Sequence, residues 1–497
     1  MNHKKAVIIG SGIAGIAAAI RLAVNGMQVS VYEKNPLPGG KLSSFKEKNY
    51  HFDSGPSLFT QPKNIEELFI LAGEPIEEYF QYKPVDISCK YFFDNGKIVN
   101  GYTQVEMFAD EMQEKTGEPG KSVKKYLSIS EKVYNNIGSV FLNYSLHKRS
   151  TWLHPRIFKA FVTVRLPYLF SSLASYNKRF FKTNEARQIF NRFATYNGSN
   201  PYKAPAMLNL IPHLEMNQGT FHPTGGMISI TNALYKLALK KGVQFYFNHP
   251  VDRIIHAESR VLGIVVNNQN ILADIVVSNA DVYFTFRDLL GYNLKAKKLL
   301  KNERSSSALI FYWGITKPHP ELGLHNIFFS KDYKQEFDCI FQKNFLYADP
   351  TIYINITSKM ETSHAPAGKE NWFVMINVPA NKGQDWEKWK EQARKNIISK
   401  LNRMLSADVE QLIESEEIMD PVQLEKSTGS YMGSLYGTSS NSKKAAFSRP
   451  ANFTSFANGL YFCGGSVHPG GGIPLCLKSA RITADIISRD IKSYSHA

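Results

Sequence analysis

A short apolar strand running straight into Gly10-Ser11-Gly12-Ile13-Ala14-Gly15 constrains this chain more than any other feature. Ala6 to Ile9 reads as a buried strand, and the glycine run opens an alanine-rich helix that ends near Gly26. Gln28 to Tyr32 alternates like a second strand and ends on Glu33, eighteen positions after the third glycine. In this β-α-β order each residue type has a task. Gly10 permits the tight turn, Gly12 lets the backbone approach a pyrophosphate, and Gly15 lets helix and strand pack closely. The helix start offers free N–H groups and a positive dipole end to phosphates, while Glu33 can accept hydrogen bonds from ribose hydroxyls. The pattern predicts a dinucleotide-binding unit, since an ordinary glycine-rich turn would lack the strand, helix and acid in register.

The fingerprint alone does not separate NAD from FAD. Gly39-Gly40-Lys41-Leu42-Ser43-Ser44 follows the second strand directly, and Phe52-Asp53-Ser54-Gly55-Pro56-Ser57 comes within a dozen residues. A second glycine-rich, cation-bearing loop suits the extended FAD molecule, whose pyrophosphate and ribityl chain outreach one βαβ unit. The far end of the chain supplies a third passage. Strand Gly459 to Cys463 leads into Gly464-Gly465-Ser466-Val467-His468-Pro469-Gly470-Gly471-Gly472-Ile473-Pro474, then a helix over Lys478 to Ile487. Backbone N–H groups in so glycine-rich a loop can approach a ligand closely, and the helix start can face a flavin edge that gains negative charge on reduction. FAD is the predicted cofactor.

Lys4 and Lys5 before an apolar run imitate a signal peptide, but the glycines and the acidic strand end fit the nucleotide fold better, and the segment is read as mature protein. Lysine plus arginine (59) exceeds aspartate plus glutamate (43), a net charge of +16 that favours anionic partners. With no basic run interleaved with aromatics and no zinc-finger spacing, nucleic acid is not an expected partner, whereas a membrane surface is. Cys89, Cys339, Cys463 and Cys476 form no Cys-x-x-Cys pair, so neither a disulfide framework nor a metal site is expected, and a reducing cytoplasm fits.

Between 86 and 220 glycine thins and aromatic and basic residues rise, which predicts a helical insertion. Within it Trp152 to Phe181 mixes Trp152, Phe158, Phe161, Leu166, Tyr168, Leu169 and Phe170 with Arg156, Lys159, Arg165, Lys178 and Arg179. A basic amphipathic segment of this kind can lie in a bilayer interface, although Pro155 and Pro167 interrupt any single long helix. Phe221 to Met227 then precedes a helix to Lys241. Strands are expected at Val243 to Phe247, Val251 to Ile255, Leu262 to Val266 and, as one element, Ile271 to Ser278. Ser307 to Trp313, Thr351 to Ile356 and Trp372 to Val378 read as strands of one sheet roofing a substrate cavity. The expected fold class is therefore α/β. A Rossmann-type FAD domain (1–85, 221–300 and 455–497) is joined by a mixed α/β substrate-domain sheet (301–454) and a helical, membrane-associating insertion (86–220).

Taken together, these passages resemble the bacterial phytoene desaturase family, the carotenoid desaturases and oxidases of the FAD-dependent, amine-oxidase-like superfamily. The resemblance rests on the N-terminal fingerprint, Phe52 to Ser57, Pro223 to Met227, Ser278 to Asp281, Gly433 to Gly437 and His468 to Pro474. Arg192 to Pro205 adds a closer similarity to hydroxycarotenoid 3,4-desaturases. Terminal-methyl carotenoid oxygenases and phytoene-type desaturases share the nucleotide motifs. An amine or porphyrinogen oxidase, or a non-catalytic prenyl-binding escort, would also keep the glycine fingerprint. Together the motifs and the resemblance give a cofactor-binding set of Gly10, Gly12, Gly15, Glu33, Gly40, Lys41, Gly55, Pro56, Val251, Gly465, Gly472, Ile473 and Pro474.

The resemblance implies removal of two hydrogens from a C–C bond beside a polyene, FAD taking one as hydride, with quinone or oxygen as the later electron acceptor. For a base that takes the second hydrogen as a proton, the candidates are His213, Glu215 and His222, each a residue type that is more often structural at such a place. His468 is read as positioning the flavin loop. The implied location is cytoplasmic, peripheral on the inner face of the cell membrane.

Overall fold

The computed structural model describes residues 4–152, 155, 168, 171–299, 301–442 and 449–494. Five parallel strands form the nucleotide sheet, in the order Leu460–Phe462, Ile275–Ser278, Lys5–Ile9, Gln28–Tyr32, Gln244–Tyr246. Parallel strands are covered on both faces and so read as apolar runs. Alternate residues go to opposite sides. Ala6, Ile8, Val29, Val31, Ile275 and Val277 pack against helices Ile13–Val24, Ile228–Lys240 and Ile473–Tyr494. Val7, Ile9, Tyr32, Val276 and Phe462 meet a three-stranded antiparallel sheet of Val251–Ala257, Arg260–Val266 and Gln269–Leu272.

The segment 271–278 is thus two strands in two different sheets. The change of partner falls at Asp274, whose N–H donates to the Lys5 carbonyl at 2.9 Å while its carboxylate accepts from the Lys5 N–H at 2.9 Å. That double tie ends one ladder and begins the next. The apolar residues of 271–278 hide such a switch, because the exposed Leu272 of the first half reads in sequence like the buried Ile275 to Val277 of the second.

The second sheet has seven strands, ordered Ile413–Met419, Ser307–Ile315, Glu370–Val378, Ile352–Asn355, His325–Phe328, Ile87–Phe92, Ile98–Tyr102. Its last two members were expected inside a helical insertion. Instead Ile87–Phe92 pairs parallel with His325–Phe328, with Phe92 stacked on Phe328 at 4.4 Å between centroids. The insertion's helices begin at Val105–Thr116 and continue through Gly120–Val133, Leu173–Phe180 and Asn184–Asn191. On the outer face of the seven-stranded sheet, Leu309, Phe311, Trp313, Val374 and Ile376 pack against helix Trp386–Leu405. The inner face is left for the site.

Of the amphipathic segment 152–181, residues 153–154, 156–167 and 169–170 lie outside the described residues. They include Arg156, Phe158, Lys159, Phe161, Arg165, Leu166, Leu169 and Phe170. Among the described residues no helix is long and apolar enough to cross a membrane.

Candidate functional site

One cavity of about 1320 Å³ runs from the glycine fingerprint to the inner face of the seven-stranded sheet. At its nucleotide end, Gly10 turns the chain at φ +93, a conformation glycine adopts freely, and its N–H donates to the Tyr32 carbonyl at 2.8 Å. Helix Ile13–Val24 carries no side-chain cap, so its first N–H groups are left for a ligand, and Gly12, Ile13 and Ala14 line the cavity. Glu33 is aimed from below. Its Oε2 accepts from the Ser11 N–H at 2.8 Å and the Ser11 hydroxyl at 3.0 Å, its Oε1 from the Asn35 N–H at 2.9 Å, and the carboxylate still reaches the cavity.

Of the cofactor set expected from sequence, Gly10, Gly12, Glu33, Gly40, Lys41, Gly55, Pro56, Val251, Gly465, Gly472, Ile473 and Pro474 all line this cavity. Gly15 does not. A Cβ there would stand 2.2 Å from the Gly10 carbonyl oxygen, so its part is the close packing of helix on strand. Gly55 passes so near the next loop that a Cβ would fall 1.7 Å from the Lys41 carbonyl oxygen.

Two buried cations show what this end of the cavity fits. Lys41 Nζ donates to the carbonyls of Ser434 (3.2 Å) and Leu435 (2.7 Å). Arg449 donates to those of Tyr436 (3.1 Å), Gly465 (3.4 Å) and Thr438 (2.6 Å). Burial pulls Lys41 down to about 8 against the raising influence of Asp281, and Arg449 down to about 10, helped by Arg304. Neither forms an ion pair with a carboxylate among the described residues. Buried cations held only by carbonyls call for an anionic ligand, and a pyrophosphate-bearing cofactor meets that need. FAD fits: the helix start, Lys41 and Arg449 would meet its charged parts, Glu33 its ribose.

His468 is fully buried and lies off the cavity, its Nε2 donating to the Tyr144 carbonyl at 2.9 Å. Its own carbonyl accepts from Asn452 Nδ2 and the Ser479 hydroxyl, both at 2.9 Å, which fixes the loop that carries Gly470 to Pro474. Asn279 was missed as a site residue, although Ser278 to Asp281 stood out as a motif. Its side chain is the neighbour that a Cβ on Gly12 (2.6 Å) or Gly464 (2.7 Å) would strike, so it holds both cofactor loops in register.

The other end of the cavity is the inner face of the seven-stranded sheet. Ile310, Met375, Tyr353 and Ile327 are successive cross-strand partners, and all four line it. Met207, Leu208, Leu210, Ile211, Leu214 and Phe337 close the opposite wall. Apolar walls of this extent exclude water.

Of the three candidate bases, only Glu215 reaches this chamber. Its Oε1 accepts from Arg192 Nη2 at 2.7 Å and the Ser88 hydroxyl at 2.9 Å, and its Oε2 accepts from the Tyr196 hydroxyl. A carboxylate so engaged is an anchor for Arg192 before it is a base. Burial alone would lower the Arg192 guanidinium, yet Glu215 and the surrounding phenols raise it well above its usual value. His213 lies outside the lining, its ring nitrogens 2.9 Å from Asn217 Nδ2 and 3.2 Å from Gln218 Nε2. His222 also lies outside it, 3.4 Å from Glu361 in a separate buried pair. Neither side chain lines the chamber, although Leu214 and Glu215, which follow His213, do. Sequence reasoning did not assign Arg192 a site role, although Arg192 to Pro205 stood out as a passage, and it missed Ser88, His325 and Tyr353, which come from three separate strands and carry no local spacing signal.

Residues 13–291 match the model of the flavin containing amine oxidoreductase family. A 1-hydroxycarotenoid 3,4-desaturase of Flavobacterium sp. (strain P99-3) is 49% identical, covering 97% of this chain and 99% of its own. A 4,4'-diaponeurosporene oxygenase of Staphylococcus haemolyticus (strain JCSC1435) is 31% identical over 98% of both chains, and a phytoene desaturase of Phycomyces blakesleeanus 30% identical over 97% of this chain and 85% of its own. Among solved structures, an oxidoreductase from Methanosarcina mazei superposes with a TM-score of 0.65 at 16% identity, covering 98% of this chain and all of its own. A putrescine oxidase variant gives 0.64 at 13% over 99% of both, and likeness at that identity speaks for the fold alone. With the nucleotide end built for FAD and its relatives matching from end to end, the chain is an FAD-dependent oxidoreductase of the flavin containing amine oxidoreductase family, in its carotenoid desaturase and oxygenase branch.

Proposed function

We propose that this enzyme introduces a double bond into a long polyene, at the 3,4 position of a 1-hydroxycarotenoid. The observation that carries the reading is a single cavity with a cation-lined nucleotide end and an apolar chamber under the seven-stranded sheet. Bound FAD supplies a two-electron acceptor. The protein's part is to hold the substrate's reacting carbons against it in a dry chamber, where Ile310, Ile327, Met375 and Leu214 grip the polyene and offer no competing nucleophile. The 49% identity to a 1-hydroxycarotenoid 3,4-desaturase favours that bond over terminal-methyl oxidation, the reaction class of the 31% relatives.

The reading extends to a reversible seat on the inner face of the cell membrane, with quinone or oxygen reoxidising the cofactor. A net charge of +16 and Trp152, a cavity-lining residue 40% exposed where the amphipathic segment begins, support it. The test offers FAD-loaded protein in anionic liposomes a panel of carotenes and hydroxycarotenes. One added double bond in the hydroxylated substrates, with co-sedimentation that weakens as salt rises, is expected. Oxygen found at a terminal methyl would move the enzyme to the oxygenase class, and equal sedimentation with and without liposomes would remove the membrane.

A further inference from the structure

His325 opens strand His325–Phe328, on the chamber face that it shares with Ile327, and is only 2% exposed. Its Nδ1 lies 2.7 Å from the Tyr353 hydroxyl and 3.1 Å from Asn355 Nδ2. An amide nitrogen can only donate, and the orientation of Asn355 is fixed by its second donation, to the Leu324 carbonyl at 3.0 Å. Nδ1 is therefore the acceptor, and the ring proton sits on Nε2. That Nε2–H is buried and meets no partner among the described residues. Buried donors are nearly always paired, and an orphan of this kind in a cavity wall needs a reason. Burial first, with His222 and Arg192 adding to it, holds the ring near 3, so it stays neutral and keeps this tautomer at physiological pH.

The position of this donor is specific. The Tyr353 hydroxyl that touches Nδ1 is also 2.8 Å from the Ser57 hydroxyl, and Ser57 directly follows the cofactor-loop residues Gly55 and Pro56. Two hydrogen bonds thus tie the histidine to the loop beside the flavin site. In a 1-hydroxycarotenoid only C1 and C2 stand between the hydroxyl oxygen and C3, so whatever recognises that hydroxyl must sit beside the reacting bond. The geometry points to His325 Nε2–H as the donor that binds the substrate's C1 hydroxyl oxygen and thereby sets which bond lies over the flavin. Tyr353 and Asn355 act as positioning residues that fix the ring's tautomer.

This inference rests on the hydroxycarotenoid reading, and its test separates the two. Two variants dissect the ring: His325→Gln keeps a donor where Nε2 stood, and His325→Asn keeps a group only where Nδ1 stood. FAD-loaded wild type and both variants are compared for binding and for kcat/KM with a matched pair of carotenoids, with and without the C1 hydroxyl. Wild type is expected to favour the hydroxylated partner, His325→Asn to lose that preference by about tenfold or more, and His325→Gln to hold it within about threefold, the preference being the ratio of the two partners within each variant. An unchanged preference in His325→Asn, or an equal loss in both variants, would overturn the anchor while leaving the desaturase reading intact. Wild type that binds the hydroxylated partner more tightly but desaturates neither would instead keep the anchor and overturn the reaction.

Discussion

A buried charge is costly unless something pairs with it, and the cofactor end of the cavity turns on two such charges. Lys41 faces carbonyls only, and its depressed proton affinity reports a cation waiting for an anion. Lys41→Met fills the same space without the charge. The apoprotein is expected to be at least as stable as wild type, while FAD affinity falls by about 10- to 100-fold, the range of a charge-assisted hydrogen bond. Flavin titration alongside thermal unfolding of the apo form checks both halves. Glycine positions were legible in the sequence because a turn or close approach demands glycine locally. The partner that two of them pack against, Asn279, was not legible, for it follows strand Ile275–Ser278, more than two hundred residues after Gly12 and nearly two hundred before Gly464.

Elements explain motifs that residues alone leave unexplained. Asp53, in the passage Phe52 to Ser57, accepts from the Met227 N–H at 2.9 Å and the Ile228 N–H at 3.3 Å, capping helix Ile228–Lys240 from a distant strand. The passages 52–57 and 223–227 are thus two halves of one joint. Burial pushes the Asp53 carboxyl up to about 6, against those two hydrogen bonds. Asp53→Ala is expected to destabilise the folded protein by about 1–2 kcal/mol, the usual cost of losing an N-cap, and to shift the loop that carries Gly55. Denaturant unfolding, with FAD retention measured on the same variant, checks it. Apolar runs revealed the strands read as Ser307 to Trp313 and Trp372 to Val378, because both faces of each are covered, one by a helix and the other by the chamber side, and the structure extends them to Ser307–Ile315 and Glu370–Val378. It did not reveal that Ile87–Phe92 belongs to the same sheet, since that strand's partner lies over two hundred residues downstream.

The whole molecule buries many more titratable groups than the nucleotide site explains. His51, His213, His222, His325, His364 and His468 are all pushed below 6.5, burial being the first cause in each, with His325 near 3 and His364 and His468 near 4. Depressed folded-state values mean that stability is full above about pH 6.5 and is lost as pH falls toward the folded values. Asp53, Glu336 and Asp485 are raised by burial and work the other way in the acid range. Six groups outweigh three. Thermal unfolding is expected at lower temperature at pH 5 than at pH 7, each buried histidine adding up to about 1.4 kcal/mol per pH unit.

The parts would join in one act, removal of two hydrogens from a substrate held in the chamber, for which bound FAD would supply the two-electron acceptor and no oxygen atom would enter the product. Anaerobic mixing of FAD-loaded enzyme with a 1-hydroxycarotenoid, followed by flavin and polyene absorbance together, tests it most directly. One flavin reduced for each double bond gained, without oxygen, is the predicted result. Product that forms only when oxygen is admitted and carries an oxygen atom, or a polyene that lengthens while the flavin stays oxidised, would contradict it.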